Sequence, residues 1–207
     1  GCESLTHIPV IPGLLSLNCR GCESLTQIPR IPGLGELDCS ECVGLTNIPM
    51  IPGLQKLVCR FNGSITLPMI PGLQSLNCSH CDSLITIPLI PGLRTLECIG
   101  CESLTILPQI HGLEYLNCTF CTQITNIPKI QGLGILLCSR CDRLTTIPNI
   151  QELKILNCSH SPRLRLIPDP KRIKVFDPPG LPVVECTDSP WINNLGNVRR
   201  VIKDTKI

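Results

Sequence analysis

Residues 18 to 34 read "NCRGCESLTQIPRIPGL", and the C-x-x-C pair they contain, Cys19 and Cys22, is followed along the chain by five more pairs of the same spacing. Two chemistries use such pairs. Four thiolates can hold zinc tetrahedrally, and two neighbouring thiols can exchange a disulfide. Either one requires the sulfurs to converge, so the elements that carry the cysteines decide the outcome.

The chain has 207 residues, a net charge of +2, 20 Pro, 16 Gly and only 2% aromatic residues. Its apolar content comes from Leu, Ile and Cys, while Gly and Pro recur at near-regular intervals, which indicates one small unit used many times. The near-neutral charge argues against a general nucleic-acid binder, because phosphate recognition needs a concentrated basic surface. No apolar run reaches the ~18 residues that a membrane span needs. No signal peptide is legible at the start.

Aligning "GLLSLNC", "GLGELDC", "GLQKLVC", "GLQSLNC", "GLRTLEC", "GLEYLNC", "GLGILLC" and "ELKILNC" places their first leucines at Leu14, Leu34, Leu54, Leu73, Leu93, Leu113, Leu133 and Leu153. The interval is 20 residues except for one of 19, where a residue is missing in "NGSITLP". The unit, LxxLxCxxCxxLTxIPxIPG, resembles the leucine-rich repeat, with Cys at the third apolar position and Cys again at the asparagine position. The resemblance covers residues 1 to 177, about eight to nine repeats. A Cys followed by "xxLT" is similar to the cysteine-containing subtype, and the short "IPxIPGL" return is similar to that of bacterial effector repeats. An array mixing both, followed by "SPWINNLGNVRRVIKD", resembles repeat proteins of giant DNA viruses.

The fold class this implies is a β-rich solenoid, a right-handed superhelix with a concave parallel sheet, an extended polyproline-like convex side and little helix. Repeat length supports it independently. A strand of about five residues spans ~17 Å, and six residues of "IPxIPG" return ~19 Å when extended but only ~9 Å as a helix. "GCESLT" at residues 1 to 6 duplicates residues 21 to 26, so the array is expected to be truncated at its N-terminal end. Towards the other end Ser161, Ile173, Phe176 and Pro178 replace column residues. Residues 178 to 207 leave the period and are expected to form a C-terminal cap, with a short helix near 192 to 203 and Trp191 over the last coil.

Fifteen of the sixteen cysteines fall in two columns of this register. Cys19, Cys39, Cys59, Cys78, Cys98, Cys118, Cys138 and Cys158 share the inward face of the second strand leucine. Cys2, Cys22, Cys42, Cys81, Cys101, Cys121 and Cys141 fill the turn out of the strand, where Asn62 stands in the fourth place. Cys suits both as a small buried hydrophobe with a weak S–H donor. A parallel stack keeps equivalent side chains parallel, so Cys19, Cys22, Cys39 and Cys42 are not expected to close on a metal, and no cofactor is expected. Neighbours in one column stand ~4.8 Å apart, too far at Cβ for an ordinary disulfide. So many unpaired thiols imply a cytoplasmic or other reducing compartment.

The remaining motifs have structural readings. Cys186 lies in "VVECTDSPW", whose C-x-D resembles a ubiquitin-ligase motif, but too little chain follows it to build that domain, and a cap cysteine is expected. Thr6, Thr26, Thr46, Thr66, Thr105, Thr125 and Thr145 form a ladder that favours turn support, a hydroxyl bonding a loop amide, over ice binding. His80 and His160 read as rim residues, and Glu3, Glu23 and Glu102 as an exposed position. No phosphate loop, carboxylate pair or Ser/His/Asp set stands out, so no enzyme activity is expected.

A solenoid offers a long preformed face rather than an enclosed pocket, so the expected partner is a protein, with no nucleic acid, membrane or small-molecule substrate. A structural spacer or particle component, and the recognition part of a larger ubiquitin ligase, are the alternative functions. One outward column runs Ser16, Glu36, Lys56, Ser75, Thr95, Tyr115, Ile135, Ile155, Val175. Its neighbour runs Asn18, Asp38, Val58, Asn77, Glu97, Asn117, Leu137, Asn157, Asp177. The first half is mostly polar, and from Tyr115 onward it turns apolar. Tyr115, Ile135, Leu137 and Ile155, with Phe120 just past the strand, are therefore the candidate interaction surface. The column placement also predicts that the denatured chain titrates with nearly all sixteen cysteines as thiols, and that the native protein carries no stoichiometric zinc. Thiol titration and elemental analysis check this, and one metal per pair of repeats would refute it.

Overall fold

The computed structural model describes residues 1–165. Within them the chain forms eight strands: β1 (Ser16–Asn18), β2 (Glu36–Asp38), β3 (Lys56–Val58), β4 (Ser75–Asn77), β5 (Thr95–Glu97), β6 (Tyr115–Asn117), β7 (Ile135–Leu137) and β8 (Ile155–Asn157). They make one all-parallel sheet in sequence order, so each strand lies beside its own next copy. The register is that of the repeat, with Leu17 opposite Leu37 and Leu96 opposite Leu116. The missing residue does not disturb it, since Lys56 still pairs with Ser75. The deficit is absorbed in the return arm, where Leu67 is only partly buried while its counterparts Ile48 and Ile87 are in the core.

The described residues hold no helix. The return arm is extended, as the repeat length requires. The strands, however, are three residues long rather than about five. Backbone bonds between coils continue on both sides of them, from Gly35 N–H to the Leu15 carbonyl at 2.8 Å and from Gly21 N–H to the Ser40 carbonyl at 2.9 Å. What ends the strand early is a change of backbone sign two residues past the first cysteine, at Gly21, Glu41, Phe61, His80, Gly100, Phe120, Arg140 and His160, all with φ between 54° and 69°.

Three turns complete each coil. The first two are closed by the amide three residues on, as in Cys22 N–H to Cys19 O (3.3 Å) and Leu25 N–H to Cys22 O (3.0 Å). The third is "IPGL" in the first five coils and "IHGL", "IQGL" and "IQEL" in the next three. Its leucine amide reaches back to the isoleucine carbonyl, 3.2 Å for Leu34 to Ile31, and Gly33 sits at φ 82°. Proline first and a positive-φ glycine second is the chemistry of a type II turn.

Each interior coil sends the same seven side chains inward; in the second coil they are Leu34, Leu37, Cys39, Cys42, Leu45, Ile48 and Ile51, all at most 3% exposed. The core is therefore a set of columns running the length of the stack. Cys2 departs from its column by being exposed, because no coil lies over it. The expected cap, with Trp191 and Cys186, and the column members Ile173, Val175, Phe176, Asp177 and Pro178 lie outside the described residues.

Leu96 and Leu116 are 1% and 0% exposed with a coil on each side, whereas Leu14 is only partly buried at the open end. Leu96→Ala or Leu116→Ala should lower unfolding free energy by ~2–5 kcal/mol and Leu14→Ala by clearly less, as measured by chemical denaturation. Equal losses at both places would contradict nearest-neighbour stacking.

Candidate interaction surface

The cysteines had the first claim to chemistry. Fifteen of them lie in the described residues, as thiols rather than disulfides. Their geometry is directional. Cys42 Sγ donates to the Cys19 carbonyl at 3.0 Å, Cys81 to Cys59 at 3.1 Å, Cys101 to Cys78 at 3.1 Å, Cys121 to Cys98 at 2.9 Å and Cys141 to Cys118 at 3.2 Å. Each of these five second-column thiols thus binds the carbonyl of the first-column cysteine one coil earlier. Where the cysteine is replaced the bond persists: Asn62 Nδ2 donates to Cys39 O at 2.9 Å and Ser161 Oγ to Cys138 O at 3.2 Å. Cys, Asn and Ser share one property here, a short side chain with a hydrogen to give.

Burial pushes the Cys19 thiol up to about 12, and Cys39 is raised by the same cause. Cys78, Cys98 and Cys118 are raised by their hydrogen bonds to the thiol of the following coil and then by burial. These five stay protonated at neutral pH, and a protonated thiol is neither a nucleophile nor a metal ligand. Cys81 moves the other way, because its bond with Cys59 favours the thiolate, but it is fully buried. Among the described residues no three His, Cys, Asp or Glu side chains converge as a metal site.

The outward face of the sheet is where side chains meet solvent in ordered rows. Tyr115, Ile135 and Ile155 are register partners on β6, β7 and β8, with Leu137 on the same strand as Ile135. All four are half-buried. The Tyr115 hydroxyl accepts a bond from Asn117 Nδ2 at 3.4 Å, which holds the ring beside the patch. Phe120 stands past the end of β6, 46% exposed, with the Arg140 guanidinium 5.2 Å from its ring centre. The structure thus brings all five candidate residues onto three successive coils.

The outward row beside the strip bonds back to the backbone. Asn18, Asp38, Asn77, Asn117 and Asn157 each accept the amide two residues on, at 3.0–3.2 Å, capping the end of their own strand. Where that position is Val58 or Glu97, Ser40 Oγ and Ser79 Oγ of the preceding coil take over, each bonding the amide at 3.2 Å. The threonine ladder works differently from expectation. Thr145 Oγ1 donates to the Thr125 carbonyl at 3.0 Å and Thr66 Oγ1 to the Thr46 carbonyl at 3.2 Å, so the acceptor is a carbonyl of the previous coil and not a loop amide.

Sequence reasoning missed two further rows. One is the positive-φ column, whose members differ too much in type to be read as a set. The other is on the return arm, where Met50, Met69 and Leu89 are 45%, 50% and 55% exposed on adjacent coils. Their common place in "IPxIPG" was the available signal.

No family model matches the chain, and neither does any curated protein or solved structure. The class is defined by the structure itself: a cysteine-rich parallel β-solenoid of about seven turns with a repeat of ~20 residues.

Asn62 keeps the donor but leaves its Oδ1 buried without a partner. Asn62→Cys should therefore stabilise the protein by about 1 kcal/mol, since an orphaned acceptor is removed while the donor is retained. Cys101→Ala should cost ~1–3 kcal/mol by stripping the Cys78 carbonyl of its donor, and Cys101→Ser less. Denaturant titration of the three variants reads the order directly.

Proposed function

We propose that this chain is a non-catalytic protein-interaction module of the leucine-rich-repeat type, working in a reducing compartment and binding a protein partner on its concave face. The observation that carries the reading is the change of character along that face. Polar rows over β1 to β5 give way at Tyr115, Ile135, Leu137 and Ile155 to adjoining apolar side chains. Apolar groups grouped on an exposed sheet are characteristic of interaction sites, and a ring anchored by its hydroxyl supplies contact area with little entropy to lose. The compartment follows from the thiols, which in oxidising surroundings would be exposed to exchange whenever a coil frayed.

Partner capture by the immobilised protein, compared across variants, tests the site. Tyr115→Ala and Leu137→Glu should abolish capture while leaving thermal unfolding nearly unchanged, because both side chains are only half-buried. Retention of full capture by both variants would remove this face from consideration.

A further inference from the structure

The rim row just past the strands is built from residues that its backbone disfavours. All eight of its positions have positive φ, yet only Gly21 and Gly100 are glycine; the others are Glu41, Phe61, His80, Phe120, Arg140 and His160. A bulky side chain in this region is strained, and such outliers concentrate where a surface has work to perform. The chain has three Phe and four His in all. Two of each stand in this one row.

The rings do not offer their faces. Phe61 and His80 stack at 4.6 Å with 5° between their planes. The guanidinium of Arg60 lies over Phe61 at 5.1 Å, and that of Arg140 over Phe120 at 5.2 Å. Gly100 has no room for a side chain because its Cβ would meet the His80 ring at 2.7 Å. The rim thus carries guanidinium groups laid on rings, whose edges carry the positive end of the aromatic quadrupole. Arg60 and Arg140 form no ion pair among the described residues, unlike Arg20, which is held by Glu41 at 2.7 Å. The Arg60 Nε has no hydrogen-bond partner at all. Over residues 138 to 165 the chain is basic: Arg140, Arg143, Lys154, Arg163 and Arg165 are opposed only by Asp142 and Glu152.

We propose that this rim, centred on Phe120, Arg140 and His160, docks an acidic peptide segment of the partner, whose carboxylates meet the guanidinium and the ring edges. The assignment rests on the concave face being the interaction side, and it adds the chemical character of what lies along its border. A single-stranded nucleic acid is the competing ligand for a row of rings and cations, but it requires open ring faces on which bases stack. Here Phe61 and His80 are stacked on each other, and a guanidinium lies over each of Phe61 and Phe120.

Fluorescence anisotropy with a short labelled polyglutamate peptide tests this, with polylysine and oligothymidylate of equal length as comparisons. Polyglutamate should bind, and more weakly as salt is raised. Arg140→Glu should weaken it by about tenfold or more, and Arg140→Lys by less. Lys129→Glu makes the same charge change on the return arm and should alter affinity by no more than about twofold. Equal losses in Arg140→Glu and Lys129→Glu would reduce the binding to net charge and overturn the site. Tighter binding of oligothymidylate than of polyglutamate would overturn the ligand class. If Tyr115→Ala and Leu137→Glu leave partner capture intact while polyglutamate binding still depends on Arg140, the concave reading fails and the rim stands.

Discussion

Where each strand ends, the carbonyl of the first cysteine is turned towards the interior, and the hydrogen that satisfies it comes from a side chain one coil further on. The rest of the architecture depends on this bond. Its donor must be short, because the coils are separated only by a strand spacing of ~4.8 Å. It must also tolerate complete burial. Cysteine meets both conditions with no orphaned atom, serine nearly so, and asparagine only by leaving an oxygen unpaired, as Asn62 does. Repetition of this solution alongside an inward-facing cysteine in the strand produces the C-x-x-C spacing. The pairs that look most like a metal site are thus the stitching between coils, and burial together with thiol hydrogen bonding holds Cys78, Cys98 and Cys118 in the protonated form.

The same turn shapes the surface. To leave the strand and present that carbonyl, the chain adopts positive φ at the following rim position, which places one residue per coil in a row beside the sheet. Glycine is the unstrained occupant, and a non-glycine residue there costs on the order of 1–3 kcal/mol. Six coils bear that cost. Stacking of Phe61 on His80 and of arginine on phenylalanine offsets part of it. The face proposed for interaction therefore has two rows of different character: an apolar strip on β6 to β8, and a cationic, aromatic border along its edge.

The half-buried strip at Tyr115, Ile135, Leu137 and Ile155 was legible before any coordinates, because strand residues alternate between core and solvent and each coil repeats the last by translation. What the outward row of Asn18, Asp38 and Asn77 beside it bonds to was not legible, for an equally physical reason. Alternation says which side of the sheet a side chain takes, but not whether it then folds back on the backbone. Asn117 does so, bonding the Thr119 amide at 3.2 Å. Leu137 has no polar atom to fold back, so it remains a surface residue among capping neighbours.

Period, strand register, the inward columns and the extended return arm all follow from spacing alone, since a unit of 20 residues has one economical way to stack and its neighbours in space are its neighbours by count. The positive-φ rim, the short strands and the identity of every acceptor were decided by tertiary structure. Residue type does not declare the sign of φ when Glu, Phe, His and Arg occupy a place where glycine would be expected, and a donor's partner is set by which carbonyl the adjacent coil brings within ~3 Å.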